Sequence, residues 1–153
     1  MVSEQTIDKT VETLESADFE REVEYLSARQ PELVGFLFSE DFDLLTQDER
    51  SYMLYLTLVL YQSVEAQNGN IPPINASDLE SAEENNWALL ENITDKRFRE
   101  RMTVFFEKTK QEDLLAFIED ALTDDEDNMI TPEGREPIFV ALKSIVDVLT
   151  EKV

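Results

Sequence analysis

Between Lys96 and Lys110 stand six basic residues (Lys96, Arg97, Arg99, Arg101, Lys108, Lys110) and two acidic ones (Glu100, Glu107), a net charge of +4 inside a remainder of -26. On a helix, Arg97, Arg101 and Lys108 fall at i, i+4 and i+11, one narrow stripe beside an apolar face of Phe98, Met102 and Phe105. Such a stripe has two uses. It can bind an anion, a phosphate or a partner, or it can dock against the chain's own acidic helices as ion pairs.

Carboxylates offer the other chemistry. The run TDDEDN at 123–128 can be read as a calcium loop, with Asp125 and Asp127 at ligand positions 3 and 5 and Ile130 at the hydrophobic eighth. Thr123 then takes the first ligand position, Asn128 the glycine position and Gly134 the place of the bidentate glutamate, so the match is poor. A carboxylate-dependent metal protein or hydrolase centred on Asp124, Asp125 and Asp127 is the alternative functional reading. In a chain with 35 acidic residues no single carboxylate pair stands out for catalysis.

Composition removes many other chemistries. There is no His and no Cys, which excludes an imidazole base, a thiolate nucleophile, a disulfide and an ordinary zinc site. No phosphate loop, dinucleotide fingerprint, HExxH, GxSxG or SxxK occurs. The expectation is a non-enzymatic protein without a cofactor.

The 35 acidic and 13 basic residues give a net charge of -22 and a pI near 4.1. Each half of the 153-residue chain carries -11, so the charge belongs to a folded surface and not to an acidic tail. This field repels nucleic acid and anionic lipid and favours a basic protein partner. The expected role is an acidic interaction or adaptor module; a related version mimics DNA with arrayed carboxylates. The first residues lack a basic n-region and an apolar h-region, and the most apolar run, YMLYLTLVLY at 52–61, is half the length of a membrane span. A cytoplasmic, non-membrane protein is expected.

The elements that would position these residues read as helices. Three Gly, five Pro and helical periodicity nearly throughout predict an all-α bundle of about six or seven helices in one domain. A first helix is expected from Thr6 to Arg29, and a short second one from Pro31 to Phe38. Thr46 and Glu49 form a capping box that opens a helix apolar almost all round, with Ser51, Tyr55 and Gln62 at its wettest edge. Tyr52, Tyr55 and Tyr61 suggest either an aromatic pocket or hydroxyls reaching the edge of the core. A loop spans 66–77, and a second capping box, Ser77 with Glu80, opens the next helix, at whose rim Trp87 falls. A last helix follows the acidic loop, with Thr131 capping a separate turn and Pro137 at its first regular position.

The sequence also resembles itself. QPELVGFL from Gln30 matches QEDLLAFI from Gln111, and LTQDER from Leu45 matches ITPEGR from Ile130. The expectation is a pseudo-twofold pair of three-helix units, 16–66 and 95–152, with 67–94 inserted between them. Arg50 and Arg135 then take equivalent places, each predicted to tie to the acidic loop before its helix.

Overall fold

The computed structural model describes residues 1–124 and 130–151. Among these there are eight α-helices and no strands: α1 (Glu4–Glu15), α2 (Phe19–Arg29), α3 (Pro31–Leu37), α4 (Gln47–Asn68), α5 (Ala76–Leu90), α6 (Phe98–Phe106), α7 (Glu112–Thr123) and α8 (Pro132–Glu151), with a 3-10 turn at Glu40–Phe42. The all-α class holds, but there is one helix more than the upper expectation because the predicted first helix is two. Asp18 adopts extended backbone and its carboxylate accepts from the Arg21 amide at 3.4 Å, so it starts a new helix where periodicity alone runs straight through. No helix among the described residues is long and apolar enough to cross a membrane.

Two further helix starts differ from expectation. The α5 cap is Asn75, whose Oδ1 accepts from the Asp78 amide at 2.8 Å; Ser77 spends its hydroxyl on the same carboxamide. Helix α8 is continuous from Pro132, with Pro137 inside it. Pro132 loses nothing in the first turn, where the amide has no partner, and Pro137 forgoes a single intrahelical bond.

Helices α4 and α8 pack side by side at the centre. Helix α4 also packs on α1 and α2, and α8 on α5 and α7; α3 lies on α5, and α6 bridges α5 and α7. Both central helices are apolar on several faces, which is what burial between two layers requires. Helix α6 docks through its predicted face: Phe98 and Phe105 meet Phe139 of α8 at ring-centroid distances of 5.9 and 5.7 Å. Tyr61 departs from the expectation of hydroxyls at the core's edge. It is 1% exposed, and its buried hydroxyl has no hydrogen-bond partner among the described residues.

One carboxylate serves the first turns of both central helices. The predicted capping box is present: Glu49 Oε1 accepts from the Thr46 amide at 2.9 Å, and the Glu49 amide donates to Thr46 Oγ1 at 3.1 Å. The other oxygen, Oε2, accepts from the Thr131 amide at 3.0 Å and from its hydroxyl at 2.9 Å, and Thr131 Oγ1 accepts from the Gly134 amide at 3.1 Å. Burial pushes the Glu49 pKa up, but these bonds from Thr46 and Thr131 outweigh it and hold the carboxyl below its ordinary value.

Two glutamines make matching long-range contacts. Gln30, fully buried, precedes α3 with φ -133° and ψ 64°; its Oε1 accepts from the Ile74 amide at 2.9 Å and its Nε2 donates to the Pro72 carbonyl at 3.1 Å. Gln111 precedes α7 with φ -123° and ψ 50°, and its Oε1 accepts from the Val2 amide at 3.0 Å. Two residues on, an acid repeats the pattern: Glu32 accepts from the Ala76 amide at 3.1 Å, and Asp113 from the Glu4 amide at 3.0 Å. Val2 and Ile74 are both buried, each just ahead of the N-cap of α1 or α5. The first half of the chain thus grips the start of α5, and the second half grips the start of α1.

Candidate functional site

The basic segment is not one helical stripe. Helix α6 covers only Phe98–Phe106, so Arg97 is its N-cap residue and Lys108 lies beyond its end. Arg97 is largely exposed and pairs with Asp95 at 2.8 Å; that bond, made by the Arg97 side chain, lowers the Asp95 pKa to about 2. Arg101 points inward, with Nε on Glu136 of α8 at 2.6 Å and Nη1 on the carbonyls of Ile93 and Asp95 at 2.9 and 3.1 Å. Arg99 pairs with Glu119 of α7 at 2.6 Å. Lys108, exposed, lines a separate groove of about 890 Å³ with Lys110, Lys143, Asp78 and Asp147. Three of the four side chains are therefore committed to internal acids; Arg97 and Arg101 lie one turn apart, both on Asp95, and Lys108 lines the separate groove.

Arg50 donates to the Asp43 carbonyl at 2.9 Å and lies 3.7 Å from its carboxylate, which is the predicted tie to the preceding acidic loop. The counterpart acids Asp125 and Asp127, and with them most of the 124–127 metal reading, lie outside the described residues. Asp124 is described: it follows α7 in extended backbone. Among the described residues no three carboxylates converge closely enough to hold a metal ion.

The arrangement with the clearest chemical bias is a groove of about 420 Å³ between α1, α4 and α7. Helix α1 supplies Ile7 and Val11 to its wall and Glu4 and Asp8 to its rim. From α7 come Asp113, Phe117 and Asp120, with Asp124 just beyond the helix end. Ala116 and Ala121 face the same space and, having nothing beyond Cβ, leave it open. The floor is Tyr52, Tyr55 and Leu56 of α4.

The two tyrosines, i and i+3 on α4, stack with centroids 6.2 Å apart and ring planes 14° apart. Tyr52 Oη donates to the Ala121 carbonyl at 3.3 Å, fixing the floor to α7. Burial, and then the Glu15 charge, raise the Tyr55 pKa above its ordinary value, so its ring stays neutral. Among the described residues, five carboxylates and no cation line the groove; Arg99 lies 3.7 Å from Asp120 without itself lining it. Negative charge in a groove that also holds aromatic rings attracts cations, by Coulomb's law and through the ring quadrupole.

Sequence reading did weigh Tyr52 and Tyr55 as a pocket. It missed the walls. The signal was the spacing of Asp113, Ala116, Phe117, Asp120 and Ala121 on one face of α7 and of Glu4 and Asp8 on α1, but that α1 and α7 meet over α4 is not written in either segment. No protein-family model, curated protein or solved structure matches this chain.

Proposed function

We propose that the chain is a non-enzymatic, acidic protein-interaction module that receives a basic partner in the α1–α4–α7 groove. The observation that carries this reading is the groove lining: among the described residues, five carboxylates and no cation, with Tyr52 and Tyr55 as its floor. Two other grooves are mixed in charge, with Lys9, Glu22 and Glu65 lining one, and Lys108, Lys110 and Lys143 among acids in the other.

The scaffold is best read as a duplicated four-helix unit, α1 to α4 and α5 to α8. The segment 67–94 then is no insertion, because its helix α5 is the counterpart of α1. Supporting this are the reciprocal glutamine contacts, in which Gln30 and Glu32 hold Ile74 and Ala76 as Gln111 and Asp113 hold Val2 and Glu4. The helix caps correspond as well: Ser3 accepts from Thr6 as Asn75 accepts from Asp78. The two mixed grooves also map onto one another, with Thr6, Tyr25 and Gln62 of one at the places of Asp78, Val104 and Asp147 in the other.

A native pull-down at ~0.05 and ~0.3 M salt tests the reading, because diffuse electrostatic capture is screened at the higher concentration. The wild-type chain retains a partner at ~0.3 M salt. Asp8→Asn with Asp120→Asn loses it, whereas Glu24→Gln with Glu84→Gln, which removes the same charge elsewhere, does not. Equal loss in both double variants overturns the groove as the site.

A further inference from the structure

The groove discriminates between cations by shape as well as by charge. A lysine ammonium is compact and strongly hydrated, and it can satisfy carboxylates anywhere on so acidic a surface. A guanidinium is planar and weakly hydrated; it stacks on aromatic faces and presents forked donors that match carboxylates. The stacked Tyr52 and Tyr55 rings and the carboxylates of α1 and α7 line the same space, which puts both kinds of group that recognise a guanidinium into one groove.

We infer that this groove is an arginine-selective docking site for a partner protein, taking a guanidinium against the Tyr52–Tyr55 floor with its N–H donors turned to the acidic rim. This rests on the interaction reading above and adds the chemical class of the recognised group. One copy of the site is expected per chain. On α8 the positions equivalent to Tyr52 and Tyr55 hold Pro137 and Val140, and α3, with 7 residues against 12 in α7, is too short to build the matching wall.

The test uses the full chain and three labelled peptides that differ only at four positions: all arginine, all lysine, or all citrulline, which keeps the planar urea but not the charge. Anisotropy titrations run in ~0.15 M salt. The arginine peptide binds at one site per chain, about fivefold to tenfold tighter than the lysine peptide, and the citrulline peptide does not bind measurably. Tyr55→Leu lowers the arginine peptide to the affinity of the lysine peptide and leaves the latter within about twofold. Tyr55→Phe, which keeps the ring face, retains the preference, and Asp8→Asn weakens both charged peptides alike.

Equal affinity of the arginine and lysine peptides for the wild-type chain, both weakened by Asp8→Asn, overturns arginine selectivity and leaves the basic-partner reading standing. Binding of both peptides that no groove variant alters overturns the two readings together. The wild-type comparison alone decides selectivity, so the outcome does not depend on how any variant folds.

Discussion

Gly134 and Glu49 compete for one space: a Cβ added at Gly134 would fall within the van der Waals shell of Glu49 Oε2. The pair lies where the N-terminal turns of α4 and α8 meet, and the glycine lets one buried carboxylate cap both helices. Replacing a helical glycine by alanine ordinarily stabilises a protein by ~0.5–1 kcal/mol. Gly134→Ala is expected to do the reverse, costing about 1–3 kcal/mol through overpacking and a displaced cap. Gly35→Ala in α3, with nothing near the added Cβ, serves as the control of ordinary sign. Urea denaturation of the two variants checks the contrast.

A carboxamide at this position keeps one accepting oxygen of two, so either the Thr46 amide or the Thr131 amide and hydroxyl face an NH2 donor in place of their acceptor. Glu49→Gln keeps the shape and loses the charge, and is expected to cost ~1–2 kcal/mol at pH 7. Since the folded pKa of Glu49 lies below the ordinary 4.5, its contribution is present above pH 4.5 and fades as pH falls through the depressed folded value. The difference between wild type and Glu49→Gln therefore shrinks as acid denaturation is approached. Melting temperatures measured from pH 7 to pH 3 check this.

Glu83 on α5 shows the opposite sign. Burial, followed by the charges of Asp41 and Glu80, pushes its pKa from 4.5 to about 7. A carboxyl raised in this way destabilises the fold once it ionises, so the cost grows from pH 4.5 to about 7 and is then constant. Glu83→Gln is expected to leave stability at pH 4.5 unchanged and to raise it by ~1–2 kcal/mol at pH 8, less than the full shift implies because water still screens a half-buried group. Chemical denaturation at the two pH values tests the prediction, and no gain at pH 8 would count against it.

Gln30 is expected to matter more than its counterpart. It is fully buried and grips both the Ile74 amide and the Pro72 carbonyl, while Gln111 is half-buried and holds the Val2 amide. Gln30→Ala is expected to cost ~2–3 kcal/mol by leaving buried backbone groups unpaired, and Gln111→Ala about 1 kcal/mol. Hydrogen exchange supplies the local readout: the Ile74 amide loses protection in the first variant and keeps it in the second.

The basic segment offers a contrast between neighbours. Arg97 is exposed and, among the described residues, bonded to Asp95 two positions away, so Arg97→Ala is expected to leave stability essentially unchanged. Arg101 ties the segment before α6 to Glu136 of α8 from a largely buried position, and Arg101→Ala is expected to cost ~1–3 kcal/mol. Thermal melts of the two variants separate the roles.

What the amino-acid sequence determined by itself is local in origin. The helical class, the apolar face of α6, the Thr46–Glu49 capping box and the Arg50 tie to Asp43 all arise from residues within a few turns of one another, where periodicity and capping chemistry act. Even locally, Asp18 and Asn75 escaped notice: a cap competes with a continuing apolar period at Asp18 and with a second plausible cap, Ser77, at Asn75. The tertiary structure alone decided the rest. Glu49 reaches Thr131 across 82 positions of sequence, Gln111 reaches Val2 across 109, and the acidic groove exists because α1 and α7 close over the tyrosines of α4. These contacts depend on which apolar faces pack together, and many pairings of amphipathic helices satisfy the same periodicity until a buried carboxylate or amide must find its partner.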